Sequence, residues 1–368
     1  MYSAKSDCRR FIGEKPCQPG RECFDCADYS PMGTRLLIIK LGAGGDVLRT
    51  ACLLPGLKQK YPVSHITWVT EKPFVPLLAR NPSIDRLLRF EFTTVLTLVT
   101  EYFDQLICLD KVPEAISLAE QVNSSQKFGF GMDRYGSLRP FNKRAEYAFR
   151  LGLSDQLKFK ENTLTYPEMI YEICDLPYDG QAYQIWLNDQ QSALAHRIKD
   201  QYGRAASAMI GLNTGSGPVF ATKKWPIDHW LELARLLYHD RPAALFLLGG
   251  PDEKERNELI RQKSTVPLVD MGTDNSLERF IAIIAALDLV ITCDSLALHI
   301  ALALGKKVVV LFGSTSATEI DLFGQGLKIV SDFRCSPCYR KTCDLSPMCM
   351  DKLEPLAVFE EVKKLITN

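Results

Sequence analysis

The residues best suited to chemistry are a carboxylate behind a glycine turn, small polar residues and lysines ahead of helices, and two groups of thiols. Asp46 follows Gly42-Ala43-Gly44-Gly45 at the end of an apolar run, Arg35–Leu41, that reads as a buried strand. Glycines let a substrate approach the backbone closely. A carboxylate at the mouth of a strand is a candidate general base. Asp46 would serve equally as a helix N-cap, a structural role. The glycines form no dinucleotide fingerprint, and no Gly-Lys-Ser/Thr follows to make a P-loop.

A second set of residues lies in the other half of the chain. The loop that opens Asn213-Thr214-Gly215-Ser216-Gly217 runs through Lys223 and Lys224 to a helix whose early Pro226 suits an N-terminus. Small polar residues and a lysine before a helix suit a phosphate cradle, with Thr214 and Lys223 as contacts. Lysines merely exposed on the surface are the alternative. Glu255 sits on the early turns of the helix after strand Ala244–Leu248, where a carboxylate favours the helix dipole. The densest stretch is Leu289–Thr315. It reads as a buried strand, a Cys293-Asp294-Ser295 turn, a helix Leu296–Leu304 ended by Gly305, and a second buried strand Val308–Phe312. The turn lies at the carboxyl end of a strand, where open α/β sheets bind ligands. The helix start offers unpaired N–H groups to an anion. His299 on that helix either faces a ligand at its end or packs as a hydrogen-bonded side chain.

The chain holds 12 cysteines. Cys52, Cys108, Cys174 and Cys293 stand in apolar contexts and read as small core residues. Cys8, Cys17, Cys23 and Cys26 lie in a Pro/Gly/charge-rich arm. Cys335, Cys338, Cys343 and Cys349 crowd a second segment. In a reducing compartment such clusters are more often metal ligands than disulfides. Each contains Cys-x-x-Cys and suits a structural site whose four protein ligands leave no open position. Disulfides or free thiols are the alternative for the arm.

The elements that must position these residues alternate. Strands are expected at His65–Thr70, Arg86–Phe90, Asp104–Leu109 and Ser207–Leu212, and helices at Asp46–Lys60, Phe74–Arg80, 189–202, 276–287 and Glu354–Thr367. Such alternation implies an α/β protein with parallel, doubly wound sheets. A length of 368 residues allows about two domains. Lys127, Arg134, Arg139, Lys143 and Arg144 are interleaved with aromatics; they read as a surface loop or as part of a site for a phosphorylated acceptor. Leu176–Gly180 reads as a linker. Lys+Arg and Asp+Glu both number 44, so bulk charge favours neither nucleic acid nor an anionic membrane. The start lacks the apolar core of a signal peptide, and charges interrupt the apolar region Phe280–Phe312. A cytoplasmic protein with at most peripheral membrane contact is expected.

The segments IIKLGAGGDVLRT, LPGLKQKYP, KKWPIDHW, GGPDEKER, CDSLALHIALALGKKVVVLFG and CSPCYRKTCDLSPMCM, in that order and spacing, resemble the bacterial heptosyltransferases of glycosyltransferase family nine. The resemblance covers most of residues 34–367. It implies the GT-B architecture, two Rossmann-like domains facing a cleft. The implied division is a Cys-rich arm 1–32, an acceptor domain 33–180, a nucleotide-sugar domain 181–350 with the Cys-rich loop 335–349, and a last helix 351–368 crossing back to the first domain. It further implies transfer of heptose, with inversion, from ADP-heptose to lipopolysaccharide inner core, or to protein in a subgroup that carries cysteine-bound iron. Residue by residue, it makes Asp46 the general base and Lys223 the partner of the donor phosphates. Glu255 would hold the ribose hydroxyls, and Asp294, Ser295 and His299 would meet the pyrophosphate. Leu296 departs from the small residue usual there. No cofactor is implied for catalysis, only structural zinc or iron at the cysteines. Two rivals are a GT-B enzyme using another nucleotide sugar and a non-catalytic, metal-binding scaffold. The oligomeric state is open.

Overall fold

The computed structural model describes residues 5–366 except Pro19, Arg21, Asp25, Ala205 and Pro218. The first four residues of the arm, Pro218 of the glycine–serine loop and Thr367 of the expected last helix therefore lie outside the described residues.

Short runs of branched apolar residues make β1 (Thr34–Ile39), β2 (Ser64–Thr70), β3 (Arg86–Arg89) and β4 (Tyr102–Cys108), followed by β5 (Asn123–Met132) and β6 (Leu138–Pro140). They form one sheet in the order β3-β2-β1-β4-β5-β6. Neighbours are parallel apart from β5 and β6. Leu36, Leu37, Ile38 and Ile39 are wholly buried, as a parallel strand covered on both faces requires. The covering helices are α1 (Gly44–Thr50), α2 (Leu53–Lys60), α3 (Phe92–Thr100), α4 (Pro113–Gln121), α5 (Glu146–Arg150) and α6 (Tyr166–Ile173).

The second lobe repeats the plan. Its strands are β7 (Ala208–Asn213), β8 (Ala243–Leu248), β9 (Val269–Asp270), β10 (Leu289–Cys293), β11 (Lys307–Phe312) and β12 (Gly326–Val330), all parallel, in the order β12-β11-β10-β7-β8-β9. Its helices are α7 (Asp189–Tyr202), α8 (Ile227–Asp240), α9 (Lys254–Lys263), α10 (Leu277–Ala286), α11 (Leu296–Ala303) and α12 (Pro355–Ile366). The order of connection reverses between β1 and β4, and again between β7 and β10. Those are the points where a crevice opens at the strand ends. Helices α1 and α11 start there and pack on each other across the lobes. Among the described residues no helix is long and apolar enough to cross a membrane.

Four expectations need correction. The helix expected over Asp46–Lys60 begins at Gly44, so Asp46 stands in its first turn and Ala43 is the cap. It also breaks at Ala51–Cys52. Pro55 has no N–H for the Ala51 carbonyl, and Ala51, Cys52 and Leu54 fall back on i→i−3 bonds. Between Lys72 and Leu77, Pro73 and Pro76 likewise reduce the expected α-helix to a 3₁₀ turn. The basic stretch is not a free loop. Lys127 Nζ donates to the Ala119 and Glu120 carbonyls at 2.8 and 2.9 Å, and Arg139 pairs with Glu120 at 2.9 Å. These cations fasten the β5–β6 edge.

Over its described residues the last helix, finally, does not cross back. α12 buries Val358, Phe359 and Val362 in the same core as Trp225 and Trp230, against α8, β11 and β12. Trp225 Nε1 donates to Leu353 O at 2.8 Å just before it. An apolar face that finds a complete partner in its own lobe has no reason to leave it. The arm, by contrast, is tied to the first lobe through Arg9. Its guanidinium pairs with Asp85 and donates to Ser64 O at 2.6 Å.

Candidate active site

At the first crevice the chain assembles charge. Asp110, at the end of β4, accepts from the backbone N–H of Leu41 at 2.8 Å and of Gly42 at 3.3 Å, and pairs with Lys40 Nζ at 3.3 Å. Lys40 also lies 3.9 Å from Asp46. One turn along α1, Arg49 reaches back to Asp46 at 2.9 Å, and its guanidinium stacks 3.9 Å from the centre of the Tyr166 ring. The Asp46 side chain is 39% exposed, open to the cleft. Burial by the cleft walls pushes its carboxyl up. Arg49, Lys40 and His299 outweigh that and hold it below the usual aspartate value. Asp46 is therefore ionised at neutral pH.

The second crevice is mostly neutral. Asn213 Nδ2, at the end of β7, donates to Gly215 O at 3.0 Å, Thr292 Oγ1 at 2.9 Å and Ser295 Oγ at 3.3 Å. Ser295 is the N-cap of α11, and its side chain caps no backbone N–H. Beside it Lys223 Nζ donates to Asp294 Oδ2 at 2.9 Å. Burial raises the Asp294 carboxyl, but Lys223 pulls it below its ordinary value.

His299 joins the two crevices. It is 5% exposed, and its Nδ1 is 2.8 Å from the Tyr183 hydroxyl. The ring lies against Gly45, where an added Cβ would come within 2.7 Å of Cδ2. Only glycine permits that approach. Burial, then the nearby Arg49, lowers the imidazole to about 4, so it is neutral at pH 7. Of its two sequence readings, the structure shows the packed, hydrogen-bonded one.

Two cavities flank this junction. One, of about 410 Å³, is lined by Lys40, Asp46, Arg49, Lys111, Lys158 and Glu319 among others. The other, of about 330 Å³, includes Phe74, Asn213, Gly250, Glu253, Ser295 and Leu296 in its wall. Leu296 also meets the first lobe at Gly44, so the larger residue at this position serves as an interlobe contact.

Two expected contacts are not at the cavities. Thr214 is fully buried, and its hydroxyl is spent on Asn257 Oδ1 at 2.5 Å. Glu255 is exposed on α9 and lines neither cavity. The carboxylate that does line the second one is Glu253, two residues earlier. The turn Pro251–Glu253 folds it inward, where it is 3% exposed. Its Oε2 accepts from Gly250 N at 3.1 Å; Oε1 accepts no hydrogen bond and lies 3.3 Å from Lys224 Nζ. Sequence reasoning also passed over Lys40, Arg49 and Asp110. Arg49 was legible, since an arginine three residues after a carboxylate on one helix faces it.

The arm cysteines Cys8, Cys17, Cys23 and Cys26 all line one small cavity of about 30 Å³. In the other cluster Cys349 is buried. Burial, then Cys338, Cys335 and Cys343, raises its thiol to about 11. Among the described residues no three Cys, His, Asp or Glu side chains already stand in a metal-holding arrangement.

A family model described as glycosyltransferase family 9 (heptosyltransferase) matches residues 102–349. The chain is 30% identical to a lipooligosaccharide heptosyltransferase 2 of Campylobacter jejuni over 43% of its own length and 52% of the relative's, so that match spans about half of the relative. It is 23% identical to lipopolysaccharide heptosyltransferase 1 of Pseudomonas aeruginosa over 90% of this chain and 98% of that one. Among solved structures, the E. coli ADP-heptose lipopolysaccharide heptosyltransferase II superposes with a TM-score of 0.66 at 20% identity, covering 91% of this chain and 99% of that one. The shared fold is GT-B, two Rossmann-like lobes facing a cleft.

Proposed function

Because this chain belongs to glycosyltransferase family 9, we propose that it is an inverting glycosyltransferase moving heptose from ADP-heptose to a hydroxyl of lipopolysaccharide core. The observation that carries this reading is the placement of Asp46. An ionised carboxylate lines a cavity in the first lobe, on the helix that packs against α11 beside the Lys223–Asp294 pair.

The donor's adenosine and ribose occupy the cavity with Glu253 in its wall, where the Glu253–Lys224 pair is the charged group offered to the ribose hydroxyls. Its pyrophosphate meets Ser295, the α11 backbone N–H groups and Lys223. The acceptor enters the first cavity. Its hydroxyl oxygen attacks the anomeric carbon while the bond from that carbon to the pyrophosphate oxygen breaks, and the electron pair leaves on ADP. The proton passes to Asp46. Because Asp46 is a weak base, it accepts that proton as the new carbon–oxygen bond forms and the hydroxyl turns acidic. Charge growing on ADP falls where fixed N–H groups and Lys223 already point. His299, neutral and packed, holds α1 against α11.

The test is a melting series followed by product mass. ADP should stabilise the protein and UDP should not, and ADP-heptose with core acceptor should give a product one heptose heavier. Equal stabilisation by UDP would overturn the donor assignment, and heptose found only on protein would overturn the acceptor. A structural zinc or iron belongs to the same proposal, held by Cys335, Cys338, Cys343 and Cys349, three of which lie near enough to Cys349 to raise its thiol, and by the arm set, which lines one small cavity. Metal analysis should find it in the purified protein, and chelation should lower the melting temperature. Metal-free protein with the same melting temperature would refute it.

A further inference from the structure

Two lysines in the first cavity have no carboxylate partner. Lys111 Nζ donates to Ala148 O at 2.9 Å and sits 4.7 Å from the centre of the Phe130 ring. Lys158 belongs to the π-turn Leu157–Glu161 of the first lobe. Among the described residues neither makes an ion pair, whereas Lys40 and Arg49 in the same wall are engaged by Asp46 and Asp110. Glu319 lines the cavity too, but beyond ion-pair distance of both. Although Lys111 as a residue is exposed, its ammonium lies on the apolar wall. Desolvation, then repulsion from Lys158, outweighs the attraction of Glu319 and brings it down to about 8. Like charges that face one cavity with no carboxylate at ion-pair distance repel one another, and an anion between them removes that cost.

Lys158 is held in place by the other lobe. Its Nζ lies 4.1 Å from the centre of the Tyr339 ring, in the Cys-rich loop. The same ring stacks on Phe159 at 5.2 Å with an interplanar angle of 11°. Tyr339 keeps a left-handed φ of 51°, a conformation that side chains other than glycine hold only when their surroundings fix it. Here they do. The N–H groups of Cys338 and Tyr339 donate to Ser314 O at 3.0 and 2.8 Å, and the Ser316 N–H donates to the Tyr339 hydroxyl at 3.3 Å. One residue on, Arg340 O accepts from Thr222 Oγ1 at 2.6 Å, and Thr222 precedes Lys223.

We propose that Lys111 and Lys158 form an anion subsite in the acceptor cavity, completed by the Cys-rich loop through Tyr339, for a carboxylate or phosphate group on the acceptor. The inference rests on the reading of this cavity as the acceptor's. Tyr339 is a positioning residue: it touches Lys158, and Lys158 touches the anion.

The test uses the full chain saturated with ADP, which fills the phosphate seat of the second lobe. Inorganic phosphate and malonate are then titrated separately at constant ionic strength by calorimetry. At least one should bind. Lys158→Gln should weaken it about tenfold, the worth of one charged hydrogen bond. Tyr339→Ala should do the same, while Tyr339→Phe, which keeps the stack, should bind as the parent does. ADP affinity should stay constant throughout, which general damage to the fold would not allow. Should Tyr339→Ala fail to fold, Phe159→Leu removes the stack from the other side, with the same expectation. No binding of either anion by the ADP-loaded parent, or unchanged binding by Lys158→Gln, overturns the subsite. Unchanged binding by Tyr339→Ala, or by Phe159→Leu in its place, overturns the role of the loop. Absence of ADP binding in the first step instead overturns the donor reading.

Discussion

The mouths of the two sheets share a strand order and differ in chemistry. At β1 and β4 four charged side chains interlock, Lys40, Asp46, Arg49 and Asp110. At β7 and β10 the side chains are Asn213, Thr292 and Ser295, bonded to one another, with the ion pairs Lys223–Asp294 and Lys224–Glu253 at the rim. Topology supplies the same crevice twice, and side chains decide its use. The charged mouth keeps a carboxylate ionised against burial, which under the proposed reading lets it take a proton. The neutral mouth leaves helix N–H groups and a lysine, which the proposed reading assigns to the donor phosphates.

The sharpest way to break this division is Asp46→Asn. It keeps the shape and removes the proton acceptor, so transfer should fall about 100- to 10,000-fold while ADP affinity, measured by calorimetry, stays level. Transfer at the parent rate would mean the charged mouth is not the basic one.

The junction between the mouths should show in the pH dependence of stability. The folded His299 titrates at about 4, below the ordinary 6.5. Between those values the unfolded chain binds more protons, so stability rises with pH through that window and is level above it. The size is at most about 3 kcal/mol. Asp46 and Asp294, both depressed, lose their stabilisation in the same direction at still lower pH. Urea unfolding of His299→Gln should show a flatter slope between pH 4 and 6.5; parallel curves would remove His299 from the account.

A smaller effect sharpens the neutral mouth. Glu253→Gln should weaken ADP binding about tenfold, and Glu255→Gln should leave it unchanged. The reverse result would restore Glu255 to the ribose.

How far the sequence carried depended on whether the deciding contact was local. LLII and LVIT are runs too apolar to be anything but buried strands, so both sheets were legible. Asp46, Lys223, Asp294 and Ser295 each sit where a strand meets a helix, and the strand ends bring them to the crevices. Phe92–Thr100 was not legible: its threonines and valines favour a strand, yet packing makes it α3. Pro55 was visible in the sequence, but the helix was read through it. Glu253 was missed because a turn, not periodicity, aims it. The pairing of Lys158 with Tyr339 joins residues 181 positions apart on different lobes. No local pattern records that.

The home-lobe docking of α12 has one further consequence. Among the described residues the polypeptide passes between the lobes once, through 174–188, and Asp179 and Gly180 are exposed on the way. A single crossing leaves one place at which the halves of related chains could be joined. A chimera joined at that crossing would have to preserve the whole seam, Tyr183 with His299, α1 with α11, and Lys158 and Phe159 with Tyr339; under the proposed assignment of the lobes, it would exchange donor choice between relatives.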